Sequence, residues 1–152
     1  MKIEWQIKAF TQLTTLEMFE LLKLRQQVFV IEQDCVYPDI DDQDKTSLHI
    51  LGSNEAGGLC AYLRILPPMT DGFVRIGRVV TSKVMRGQKI GKALMVQGIA
   101  HADKEFANHK IKISAQEHLQ KFYAEFDFVT TSAPYDEDGI MHVEMVRDES
   151  GN

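Results

Sequence analysis

The chain has 152 residues, 44% hydrophobic and 26% charged, enough for one domain with a buried core. Its formal net charge of −5 argues against non-specific binding to nucleic acid or to an anionic membrane surface. No stretch approaches the roughly 18 apolar residues of a membrane span, the N-terminus lacks a secretory pattern, and Cys35 and Cys60 have no CxxC spacing. Two unpaired thiols and a cytoplasmic location are expected.

Residues 3–10 alternate, Ile3, Trp5 and Ile7 against Glu4, Gln6 and Lys8, and predict a first strand. Thr14-Thr15-Leu16-Glu17 has the form of a capping box. The helix it opens sets Leu21, Leu24, Val28 and Ile31 on one face and is predicted to end near Glu32. An acidic run follows: Glu32, Asp34, Asp39, Asp41, Asp42 and Asp44, with no basic residue before Lys45. Such a run is ordinarily a solvated loop. Strands are predicted near 47–54 and 59–66, on either side of Glu55-Ala56-Gly57-Gly58, and a third over 74–81.

Ile90, Leu94, Gly98, Ala102 and Phe106 recur every four residues and predict a helix of about four turns. Residues 111–115 form a short buried-type strand. Leu119, Phe122, Tyr123 and Phe126 then mark a second short helix. Final strands over 128–132 and 140–147 flank the turn Asp136-Glu137-Asp138-Gly139, and residues 147–152 form a frayed polar end. With no repeat or linker, residues 1–152 are expected to be one α+β domain with a mixed sheet. Its two strand–helix units, 74–106 and 111–126, would each cover one face of that sheet.

The segment Arg86-Gly87-Gln88-Lys89-Ile90-Gly91-Lys92 leads from a strand straight into a helix. A helix start offers unpaired N–H groups and partial positive charge, and Gly87 and Gly91 allow close backbone approach. With Arg86, Lys89 and Lys92 beside them, the matching ligand is a phosphate or pyrophosphate. A Walker P-loop needs four residues between its glycine and the Gly-Lys, then Ser or Thr; here three intervene and Ala93 follows Lys92. The dinucleotide fingerprint G-x-G-x-x-G is absent as well.

Val79-Val80 followed by Arg86 to Leu94 resembles the acetyl-coenzyme A motif of the GNAT N-acetyltransferase superfamily, with Lys89 where a middle glycine is usual. The stretches LRQQVFVIEQDCVYPDIDDQD (24–44), HIL (49–51), AYLRIL (61–66), AQEHLQKFYAEFDF (115–128) and YDEDGIMH (135–142) are similar to its ElaA-like branch. The resemblance spans about residues 5 to 147. It implies a mostly antiparallel sheet with splayed central strands and flanking helices. It also implies acetyl-CoA as co-substrate, its pantetheine on the backbone of Val79, Val80 and Thr81 and its pyrophosphate on residues 86–92. An amine would then attack the thioester directly, with a backbone N–H such as that of Val80 polarising the carbonyl.

By the same resemblance Tyr123 supplies the proton to the departing thiolate. Tyr123 also falls at an apolar helical position, where a core phenol would stand. Glu32, His49, Glu117, His118 and His142 are the residue types that could deprotonate the amine. Glu32, ending the first helix where this superfamily gathers substrate residues, is the leading base. Glu32, Asp41, His49 and His142 are expected to contact the acceptor, although His49 in its apolar strand also suits a structural role. If the acidic run rims the acceptor site, it favours a cationic acceptor: a small-molecule amine, a lysine or a peptide N-terminus. The scattered histidines and cysteines have no spacing for metal ligation. Two other readings stand beside the enzyme: a catalytically weak acyl-CoA-binding or protein-interaction module of the same fold, and a phosphate-binding domain without CoA. Nothing in the pattern separates a monomer from a homodimer.

Overall fold

The computed structural model describes residues 2–148, and the predicted frayed end lies, from residue 149 on, outside them. In chain order the elements begin with β1 (Glu4–Ala9), α1 (Thr15–Arg25), β2 (Leu48–Ser53), β3 (Leu59–Leu66) and β4 (Val74–Thr81). They continue with α2 (Ile90–Glu105), β5 (Ile111–Gln116), α3 (Gln120–Ala124), β6 (Val129–Thr130), β7 (Tyr135–Glu137) and β8 (Ile140–Arg147). The eight strands form one sheet in the order β1-β2-β3-β4-β5-β8-β6, with β7 beside the start of β8. Every pairing is antiparallel except β4–β5, which is parallel.

The capping box forms as expected: Glu17 N donates to Thr14 Oγ1 at 3.0 Å and Thr14 N to Glu17 Oε1 at 2.9 Å. Beyond Arg25 the helix widens into π-helical winding over Gln26–Glu32, closed by bonds such as Gln33 N to Val28 O, 3.0 Å. The extra residue per turn rotates the side chains of this stretch away from the face a 3.6-residue period assigns them. Leu21, Leu24 and Val28 stay buried against β3 and β4, but Ile31 swings out to 63% exposure.

α2 and α3 do not take opposite faces. Ile90, Leu94, Met95, Ile99 and Tyr123 share one core with the side of the sheet formed by Leu63, Ile76 and Ile113, and α1 with the π-helical stretch after it covers the other side. A Cβ on Gly98 would come 2.7 Å from the buried Leu63 Cδ2, so a glycine is what lets α2 lie this close to β3. One strand, β7, escapes the sequence pattern. The expected four-residue turn at 136–139 is a two-residue hairpin turn, Asp138 and Gly139, both with positive φ (53° and 86°). Tyr135–Glu137 pair with Ile140–His142 across it.

Candidate active site

β4 and β5 are held together only at Val74–Ile111 and Arg75–Lys112. Past these pairs the strands part, and the gap opens into a cleft of about 950 Å³ whose walls include Val79, Thr81, Gly91, Ser114 and Tyr123. A β-bulge sharpens the parting: Arg78 and Val79 together oppose Leu63 of β3, and Arg78 sits at φ 52°. Ser82 donates its N–H to Cys60 O at 2.8 Å, across β3. Antiparallel alternation puts the Val80 N–H on that same side and turns Thr81 and, at the bulge, Val79 toward the gap. The backbone N–H expected to polarise a carbonyl, that of Val80, therefore faces β3; those of Val79 and Thr81 face the gap.

The mouth of the gap is closed by the glycine turn. A helical turn at Lys83–Met85 delivers Arg86, Gly87 takes φ 85°, and Lys89 takes a left-handed conformation (φ 60°, ψ 22°) as the residue before α2. The first bond of the helix is Ala93 N to Lys89 O, 3.2 Å, and the N–H groups of residues 87–92 find no acceptor among the described residues. The left-handed geometry accounts for the glycine usual at the place of Lys89. A lysine there bears roughly 1–2 kcal/mol of strain that glycine would not. Gly91 packs against Phe122 with ordinary room (3.7 Å to an added Cβ), the Ile90 side chain is core, and Lys92 pairs with Glu125 at 3.1 Å.

Tyr123 projects from α3 into the wall opposite β4. Its ring meets Phe122 and Phe128 edge-on, at 5.0 and 6.3 Å between centroids, and its hydroxyl finds no partner among the described residues. Burial pushes that hydroxyl up to about 12. Glu32 lines the cleft near the turn, where Arg86 Nη1 donates to its carboxylate at 2.6 Å. The Arg86 hydrogen bond, more than its charge, holds the Glu32 carboxyl below the usual range.

Two of the expected acceptor contacts are placed elsewhere. His49 is fully buried: Tyr62 donates to its Nδ1 at 2.7 Å and its Nε2–H donates to Asp44 O at 2.9 Å. It is a structural histidine, kept neutral first by burial. Asp41 is held bidentately by Arg64 (2.7 and 2.9 Å) and lies outside the cleft lining. The acidic run around it is no open rim. Asp39 and Asp44 are buried against Arg25, and Arg78 binds Asp39 at 2.9 Å while stacking on Tyr37. Asp42, by contrast, stays exposed. His142 does line the cleft, and with it come Ser114 and Glu137, which pattern alone did not single out, with Tyr135 bonded to Ser114 behind them.

Comparison with known proteins agrees with this geometry. The sequence profile of the family described as "Acetyltransferase (GNAT) domain" matches residues 17–148. ElaA of Escherichia coli is 41% identical over 150 residues, covering 96% of this chain and 97% of ElaA. A UPF0039 protein of Synechocystis is 42% identical over 147 residues, 96% of each chain. Among solved structures, an acyl-CoA N-acyltransferase from Pseudomonas aeruginosa superposes with a TM-score of 0.91 at 39% identity, covering 96% of this chain and 99% of its own. E. coli ElaA superposes at 0.90 with 40% identity, covering 97% and 100%. The chain belongs to the GNAT acetyltransferase family, in its ElaA-like group, and has the acyl-CoA N-acyltransferase fold.

Proposed function

We propose that this protein is a single-domain N-acetyltransferase that moves the acetyl group of acetyl-CoA to a primary amine, on a small molecule or a peptide, by direct attack. One observation carries the reading: acceptor-free N–H groups at 87–92 stand at the mouth of the gap between β4 and β5. Those groups and Arg86 would hold the pyrophosphate, a conformation glycine permits at Gly87 and Lys89 adopts under strain. The free edge of β4 at Val79 and Thr81 would take the extended pantetheine as a strand takes its neighbour. The bound group supplies a thioester carbon open to attack.

The remaining work belongs to this chain. The Val79 N–H, facing the gap, would donate to a carbonyl oxygen gathering charge there. Tyr123 donates to the departing sulfur from a site walled by aromatic rings. Glu32 stands beside Arg86 at the phosphate-holding turn, and that ion pair makes it a poor proton acceptor for the amine. His142 meets the acceptor from the floor. The two free, buried thiols, Cys35 and Cys60, support a reducing, cytoplasmic location.

Calorimetry tests the cofactor. The protein binds acetyl-CoA and not ATP, and Arg86→Glu or Gly91→Glu weakens binding about tenfold or more, the worth of a charged hydrogen bond turned to repulsion. Absence of acetyl-CoA binding overturns the reading.

A further inference from the structure

On the α1 side of the sheet the floor of the cleft carries polar side chains that the cofactor turn does not use. The pairing of β5, β8 and β7 brings Ser114, His142, Tyr135 and Glu137 to one face. Ser114 Oγ bonds both the Tyr135 hydroxyl and one oxygen of Glu137, the latter at 3.3 Å. The other Glu137 oxygen stands 3.2 Å from His142 Nε2. His142 Nδ1 donates to Ile140 O at 2.7 Å, which fixes the ring and leaves Nε2 facing the carboxylate. Tyr135 stacks on the imidazole, 6.3 Å between centroids.

Exposure gives this cluster a direction. The Glu137 side chain is 48% exposed and that of His142 10%, so the carboxylate is the open end and the imidazole the buried one. With Nδ1–H held by the Ile140 carbonyl, the imidazole nitrogen that carries no proton faces Glu137, so a proton reaching the carboxylate from outside has an acceptor 3.2 Å away.

We propose that Glu137 receives the ammonium of the acceptor and relays its proton to His142, making the β7–β8 hairpin the deprotonating arm of the acetyltransferase. This deepens, and rests on, the function proposed above. The ammonium N–H breaks, and its proton passes through the Glu137 carboxylate to Nε2, giving an imidazolium paired with Glu137. The freed lone pair forms the C–N bond as the thioester C–S bond breaks. A second proton leaves the nitrogen for the sulfur by way of Tyr123. The imidazolium proton goes to water through Glu137, so one proton is released per turnover.

The other titratable groups around the pair are Asp136, whose carboxylate accepts from Gly139 N, and Asp138 in the same hairpin, Glu144 on β8, Lys112 on β5, whose Nζ is 3.9 Å from Glu144, Tyr135 on β7, and Cys35, whose thiol donates to Asp138 O at 3.2 Å. None of these sits between Glu137 and His142.

Methylammonium chloride is the probe, with tetramethylammonium chloride at equal concentration as a cation lacking N–H groups. Nitrogen NMR of the His142 ring is read at fixed pH, after calorimetry has verified acetyl-CoA binding in the same protein. Methylammonium, handing its proton on through Glu137, moves the ring toward its doubly protonated pattern; tetramethylammonium, with no N–H to give, does not, and Glu137→Gln abolishes the difference. For any amine the enzyme acetylates, Glu137→Gln binds acetyl-CoA normally but loses on the order of 10²-fold in kcat/KM at neutral pH, less as the pH rises and free amine appears. Identical responses to the two salts, or an undiminished rate in Glu137→Gln, overturns the relay while leaving the acetyltransferase intact. Loss of acetyl-CoA binding would instead strike the acetyltransferase itself.

Discussion

Tyr123 illustrates how one side chain can belong to both core and chemistry. Its ring is buried between Phe122 and Phe128, while its hydroxyl has no partner among the described residues and stays protonated far above neutral pH. Removing the hydroxyl therefore breaks no hydrogen bond among them. Tyr123→Phe is expected to lower kcat on the order of 10²-fold with acetyl-CoA affinity and melting temperature nearly unchanged. Steady-state kinetics beside calorimetry check this, and an unaltered kcat would return the residue to the core. Helical periodicity gives Tyr123 only its place in the core; its proposed role comes from the resemblance. Periodicity does not find Glu137, because a four-residue polar string reads as a loop until the hairpin turn is narrowed to Asp138 and Gly139. His49 shows the opposite error: its two partners, Tyr62 and the Asp44 carbonyl, meet it only once β2 and β3 pair and the loop before them folds back.

At the scale of elements, the segment between the first helix and β2 is an ionic clasp. Arg25 lends Nε and Nη2 to Asp39 and its carbonyl (2.9 and 2.6 Å) and Nη1 to Asp44 (2.8 Å), while Arg64 bridges Asp41 and Asp44. A run of carboxylates in a sequence gives no sign of which cations fold over it. These come from α1, β3 and β4, far enough away in the chain that the run reads as solvated. Arg25→Met leaves two buried carboxylates short of a partner and should cost about 3–5 kcal/mol in urea unfolding. Adding Asp44→Asn should return part of that loss, and full additivity of the two changes would contradict a shared clasp. The π-helical winding just before the clasp is likewise hidden from a 3.6-residue period, which is why that period places Ile31 inside. By contrast β3, β4 and the core face of α2 follow directly from their apolar patterns.

For the whole molecule, buried ionisation ties stability to pH. Burial would raise the Asp44 and Asp41 carboxyls, but the hydrogen bonds and charges of Arg25 and Arg64 hold them below the ordinary aspartate value of 3.8. Burial lowers His49 below 6.5. In each case the unfolded chain takes up its proton first as pH falls, so each contribution is complete above the unfolded value and is lost on acidification. Urea midpoints should be level above about pH 7, fall through the histidine range, and fall again below about pH 4. His49→Gln should flatten only the upper step; a midpoint indifferent to pH between 5 and 7 in the wild type would contradict this account. The two-pair seam at Val74–Ile111 and Arg75–Lys112 has a further consequence. Mechanically the sheet is two plates sharing a short hinge, with bare strand edges facing each other across a wedge. An open edge ordinarily invites another protein's sheet. A wedge shut at one end admits a single extended chain and no second plate, so a molecule that enters becomes the missing rib that makes the two plates one.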